Sequence, residues 1–207
     1  MKALIVVDIQ RDFLPGGSLA IKDGDLIIPI INKLLPEFEL VIFTKDWHPV
    51  DMKAFASNHK NKKPFDKYKV NGVEDTLWPD HCIQNTPGAG IHKDIKFEYV
   101  KKDFYIFKKG LTKEHHPYSG FDGTGLENFL KEKNVSQIFI CGLATDYCVA
   151  DTAIDGVNAG FDTIVIKDAT KAIGEDLTNM YQEFLNLNIK IIDSWELPLF
   201  NIMPILK

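Results

Sequence analysis

The chain has 207 residues, 45% hydrophobic and 26% charged, ordinary globular proportions that exclude a disordered or fibrous protein. Its formal net charge is -5, and its Lys and Arg residues are scattered rather than striped, which argues against nucleic acid as a partner. No apolar run could span a bilayer, and the apolar start reaches Asp8 too soon for a signal-peptide core. The expectation is therefore a protein with no membrane partner, in the cytoplasm.

A single domain over 1–207 is expected, because a chain of this length can bury a sizeable core alone. β-Branched and aromatic runs predict strands at 3–8, 40–44, 103–109, 137–141, 163–167 and 190–192. Between them, apolar residues at helical spacing predict helices at 26–35, 126–132, 146–159 and 177–187. The alternation predicts an α/β fold: a doubly wound, mainly parallel sheet with helices on both faces, in three layers. The stretch 46–99 shows little periodicity but is rich in Trp, His and Pro, and loops this long are usually functional.

Ligands of an open parallel sheet bind beyond the carboxyl ends of its strands. Asp8 closes the first predicted strand, Asp46 and His48 follow the second, and Lys109 closes the third. Cys148 lies just past the fourth, in the first turn of the next helix. There, unpaired amide N–H groups and the positive end of the helix dipole favour a thiolate.

Asp8 follows an apolar run, where a carboxylate is costly unless it is paired. It suits a base for the thiol, a turn cap or a partner of Lys109, and these readings are compatible. Asp46 and His48 can point the same way from an extended chain, and His81 can add a third ligand. Two imidazoles and a carboxylate suit zinc, iron or manganese.

The three cysteines do not form a disulfide framework. Cys141 is read as a packed strand thiol, and Cys82, beside His81, as structural in preference to a metal ligand. His59, His92, His115 and His116 lie among Lys, Asn and Pro and are read as solvated surface residues.

Six segments together carry a more specific signal. They are Val7-Asp8-Ile9-Gln10-Arg11-Asp12-Phe13, Asp46-Trp47-His48-Pro49, Leu77-Trp78-Pro79-Asp80-His81-Cys82, Lys109-Gly110, Tyr118-Ser119-Gly120-Phe121 and Cys141-Gly142-Leu143-Ala144-Thr145-Asp146-Tyr147-Cys148-Val149. In this order they resemble the nicotinamidase/pyrazinamidase family of isochorismatase-like cysteine hydrolases, with Arg11 where that family commonly has asparagine.

The resemblance implies a metal-dependent amidohydrolase of NAD salvage that converts nicotinamide to nicotinate and ammonia through a thioester, and that also accepts pyrazinamide. It implies Asp8, Lys109 and Cys148 as the catalytic residues. The N–H groups of Ala144 and Cys148 would form an oxyanion hole after a cis Leu143–Ala144 peptide. One divalent ion, zinc first with iron or manganese as alternatives, would bind Asp46, His48 and His81. Phe13, Trp78 and Tyr118 would wall the ring of a small-molecule substrate. A homo-oligomer is left open.

Overall fold

The computed structural model describes residues 1–70 and 72–197. Six strands form a parallel sheet: β1 (Lys2–Val7), β2 (Leu40–Asp46), β5 (Asp103–Lys109), β6 (Gln137–Leu143), β7 (Asp162–Lys171) and β8 (Lys190–Ile192). Their order is β5-β2-β1-β6-β7-β8. Strand order therefore reverses between β1 and β6, on either side of which the chain winds outward. The α/β, doubly wound expectation holds.

Both faces of the sheet are apolar, because each central strand sends alternate residues to opposite sides. From β1, Leu4 and Val6 enter one core while Ala3, Ile5 and Val7 enter the other; Val41 and Phe43 of β2 part from Leu40 and Ile42 in the same way. Each of the larger of these side chains, when fully buried, contributes about 1.5–3 kcal/mol, so a one-residue slip of register would forfeit both cores at once.

The second face is covered by three helices: α2 (Leu126–Glu132), α3 (Ala150–Asn158) and α4 (Thr178–Asn186). The first face has α1 (Ile28–Leu34), flanked by short 3-10 turns, and is otherwise closed by irregular segments carrying Phe13, Leu14, Leu19, Ile21 and Ile95. Helices thus lie on both faces, as expected, but unevenly. The long 46–99 segment and the chain after β1 do much of the covering that a second helix would do.

That segment also holds an antiparallel hairpin, β3 (Lys67–Val70) with β4 (Val73–Thr76), which sequence patterning does not reveal. At the reversal point β1 and β6 approach closely. Gly142 pairs with Val7 and has φ +115°, and a Cβ there would run into the Val7 backbone. Only glycine meets both conditions. No helix among the described residues is long and apolar enough to cross a membrane.

Candidate active site

The ends of β5, β2, β1 and β6 converge as expected. Asp8, just past β1, has a left-handed backbone (φ +47°) and is fully buried. Its N–H donates to the carbonyl and hydroxyl of Thr44, both at 3.3 Å, and the Thr44 hydroxyl donates to Asp8 Oδ1 at 2.8 Å. Asp8 Oδ2 stands 3.0 Å from Lys109 Nζ in an ion pair but takes no directed hydrogen bond. One carboxylate oxygen is thus held and the other is left to take a proton.

Lys109 is the hub. Its Nζ donates to Asp46 Oδ1 at 2.5 Å, to the Pro117 carbonyl at 3.2 Å and to Cys148 Sγ at 3.4 Å. Burial opposes its charge, but Asp46 and Asp8 outweigh burial and hold the ammonium well above its ordinary pKa. Burial likewise works against Asp46, yet Lys109, His48 and His81 keep that carboxyl well below its ordinary value. Asp8 is raised, by burial first and by Asp46, against the pull of Lys109.

Cys148 is raised well above the usual thiol range by burial and by Asp8 and Asp46, with Lys109 opposing. Sequence position favours a thiolate, whereas burial, Asp8 and Asp46 work against one. The local helix also differs: Cys148 sits in a π-turn, Thr145–Val149, that leads into α3. The Leu143–Ala144 peptide entering that turn is cis, as the resemblance implies. The Ala144 carbonyl accepts the N–H groups of Tyr147 and Val149, on either side of Cys148.

Beside this charge cluster lie the imidazoles. His48 Nδ1 is 3.2 Å from the Gly110 carbonyl and His81 Nδ1 is 2.7 Å from the Pro79 carbonyl. A carbonyl only accepts, so each Nδ1 is the donor and each Nε2 keeps its lone pair. Both Nε2 atoms face Asp46 Oδ2, at 3.5 Å and 3.8 Å. These spacings are long for hydrogen bonds. Ligands at roughly 2.0–2.1 Å from one zinc in a tetrahedron stand roughly 3.4 Å apart.

His48 Nε2 is buried without a partner, and Lys109 offsets only one of two buried carboxylates. A divalent cation would satisfy both deficits, so the donor set fits a metal. Gly110 (φ +68°) completes the cradle, because a Cβ there would overlap the His48 ring.

Three residues hold this arrangement from outside. The Gln10 side chain donates to the carbonyls of Asp46 (2.8 Å) and Ala89 (2.9 Å) and accepts the Asp46 N–H (2.7 Å). Asp12 accepts the Cys82 N–H at 2.7 Å, and the Cys82 carbonyl accepts the His48 N–H at 3.0 Å. Cys82 is therefore structural; its thiol is buried, pushed up by burial and by Asp46, and belongs to no metal-capable cluster among the described residues. Cys141 is an inert strand thiol, raised by burial.

A cavity opens onto Cys148, Ala144 and His81, walled by Phe13, Trp78 and Tyr118. Trp78 Nε1 donates to the Tyr118 hydroxyl at 3.0 Å, which donates to Asp75 Oδ1 at 3.2 Å, so the β3–β4 hairpin braces the wall. Tyr147 completes it, its ring edge-on to Trp78 at 5.0 Å, a role its place beside Cys148 could have suggested.

His116 corrects the sequence reading. It is not a solvated surface residue: both ring nitrogens are buried, it lines the cavity, and it stacks on His48 at 4.8 Å and 25°. Burial and the neighbouring His48 push its pKa well below the ordinary histidine value. His115, in contrast, is exposed and pairs with Asp122 at 2.6 Å.

Residues 2–194 match the isochorismatase domain family. The nicotinamidase of Acinetobacter baylyi is 42% identical over 93% of this chain and 92% of its own length. Among solved structures, a nicotinamidase/pyrazinamidase of Acinetobacter baumanii superposes with a TM-score of 0.88 at 40% identity, covering 93% of this chain and 96% of that one. The pyrazinamidase of Pyrococcus horikoshii, solved in complex with zinc, gives 0.78 at 38% identity, covering 93% and 98%. A buried cysteine, a lysine-bridged carboxylate pair and a metal-capable cluster at the strand ends thus coincide with likeness over nearly the whole chain, and the chain belongs to the isochorismatase family.

Proposed function

We propose that this protein is a nicotinamidase, hydrolysing nicotinamide to nicotinate and ammonia with Cys148 as nucleophile, Asp8 as proton shuttle and Lys109 as their electrostatic partner. The observation that carries this reading is the Lys109 ammonium. It bridges Asp8 and Asp46 and reaches 3.4 Å to Cys148 Sγ beneath an aromatic-walled cavity. A pyrazine ring has the same outline as a pyridine ring, so pyrazinamide is a second substrate.

Asp8 takes the thiol proton as sulfur attacks the amide carbon, and the carbonyl electrons move to oxygen. The N–H groups of Ala144 and Cys148 hold that oxyanion, each such donor being worth roughly 3 kcal/mol. The intermediate collapses, the C–N bond breaks, and Asp8 returns its proton to the departing nitrogen as ammonia. Asp8 then accepts a proton from water attacking the thioester; the C–S bond breaks, the sulfur regains the proton, and the acid leaves and ionises. The raised pKa of Asp8 suits a group that must hold a proton between these steps.

Asp46, His48 and His81 would hold the ion, which would supply a Lewis-acidic anchor to orient the substrate. An imidazole-rich set with one carboxylate favours zinc. Three buried cysteines, all free, suit a reducing compartment such as the cytoplasm.

Ammonia release from nicotinamide by purified protein tests the proposal. The wild type should turn over and Cys148→Ala should not, while keeping its metal. Full activity in Cys148→Ala would overturn the nucleophile assignment.

A further inference from the structure

We propose that His116 is a fourth protein ligand of the metal, so that the ion would be held by three imidazoles and the Asp46 carboxylate and would expand to five-coordinate when the substrate binds to it. This inference rests on the metal-dependent reading above and extends its ligand set.

The ligand nitrogens of His48, His81 and His116 lie within 4.8 Å of one another; bonds of about 2.0–2.1 Å let two ligands of one ion stand at most about 4.2 Å apart, so a small inward shift of the rings brings all three onto one ion. The His116 ring lies 5.7 Å from that of His81 at 72°, and parallel-stacked on that of His48. Its ring thus lies against both of theirs, with one of its nitrogens in the same cluster of ligand atoms. Neither His116 nitrogen has a hydrogen-bond partner, although both are buried. His48 and His81 each satisfy Nδ1 on a carbonyl; only His116 brings two unspent nitrogens to the cluster. A neutral imidazole carries a donor and an acceptor, and burying both unpaired is unfavourable unless something takes the lone pair.

The backbone fixes the ring there. The next residue, Pro117, gives its carbonyl to Lys109 Nζ at 3.2 Å, and Tyr118 meets the His116 ring edge-on at 5.0 Å. The segment carrying His116 is thus tied to the same lysine that holds Asp46. A purely packing role would be served as well by phenylalanine, which has no lone pair.

Zinc-loaded wild type should show three imidazoles by X-ray absorption, a measurement that needs no variant. His116→Phe keeps the stacked ring without the nitrogens; it should show two imidazoles. Its zinc affinity, read by competition with a chromophoric chelator, should fall by about 100-fold or more, beyond the about 10–100-fold expected for losing a group that only orients a ligand. Circular dichroism checks that the variant is folded. One zinc per chain held by two imidazoles in the wild type would overturn the His116 assignment while leaving the metal reading standing. A wild type that binds none of zinc, iron or manganese would overturn both.

Discussion

Lys109 and Asp46 are Cα partners at the last rung of the β2–β5 pairing, and their side chains meet at 2.5 Å in the interior. The sheet register itself therefore sets the ion pair, and the same ammonium reaches Asp8 and Cys148 from adjacent strand ends. Position in the sheet, rather than any local motif, creates the charge cluster.

Replacing that ammonium with an apolar chain of similar length leaves two buried carboxylates facing each other. Lys109→Met should destabilise chelator-stripped protein by about 3–5 kcal/mol, measured by urea unfolding, and should abolish ammonia release. A loss under about 1 kcal/mol would show that the carboxylates do not depend on the lysine.

Metal dependence separates two groups of variants. His48→Ala and His81→Ala should lose the ion and bind nicotinamide weakly, whereas Cys148→Ala should retain about one ion per chain and still bind the amide. Metal analysis with calorimetric titration of nicotinamide reads both. Chelator should abolish turnover in the wild type, and added zinc should restore it.

The reactive strand ends were readable because a parallel strand announces itself by an apolar run and then stops. Asp8 after Val7 and Lys109 after Phe107 and Lys108 are such stops, and sheet topology carries them to one rim. His116 was hidden because its neighbours Lys113, Glu114 and His115 are exposed. Its burial comes from rings distant in sequence, His48 and Trp78. The raised pKa of Cys148 is hidden for the same reason: a helix start can be read locally, but the opposing Asp8 and Asp46 come from other strands. The β3–β4 hairpin escaped because two four-residue strands rich in Lys, Asp and Glu give almost no alternation.

Asp151 offers a pH test at a group outside the proposed catalytic set, although it feels the charge of Lys109. Burial first, and then Asp155, raise its pKa from 3.8 to about 6. The folded chain thus binds this proton more tightly than the unfolded chain does. The resulting stabilisation is complete below 3.8 and is lost as pH rises through about 6. At neutral pH the charged Asp151 is a liability, reduced by solvent screening because the residue is partly exposed. Asp151→Asn should therefore raise stability at neutral pH by about 1 kcal/mol, and the gain should vanish in acid. Thermal unfolding at both pH values reads it; an equal shift at both would assign the effect to packing instead.

Gln10 connects stability to the site most directly. Its amide makes three buried hydrogen bonds, two to Asp46 main-chain atoms and one to the Ala89 carbonyl. Gln10→Ala would orphan all three groups, at a cost of about 2–4 kcal/mol in unfolding free energy. It would also release the backbone that aims Asp46 at the histidines, so zinc affinity should drop by about 10–100-fold. Gln10→Glu separates the two effects: its carboxylate can still accept the Asp46 N–H but cannot donate to either carbonyl, and it adds a buried negative charge beside Asp46. If Gln10 acts by holding the backbone, Gln10→Glu should bind zinc less tightly than wild type despite the added negative charge. Zinc affinity that instead rises in Gln10→Glu would show that charge near the ion, rather than the aim of Asp46, sets metal binding.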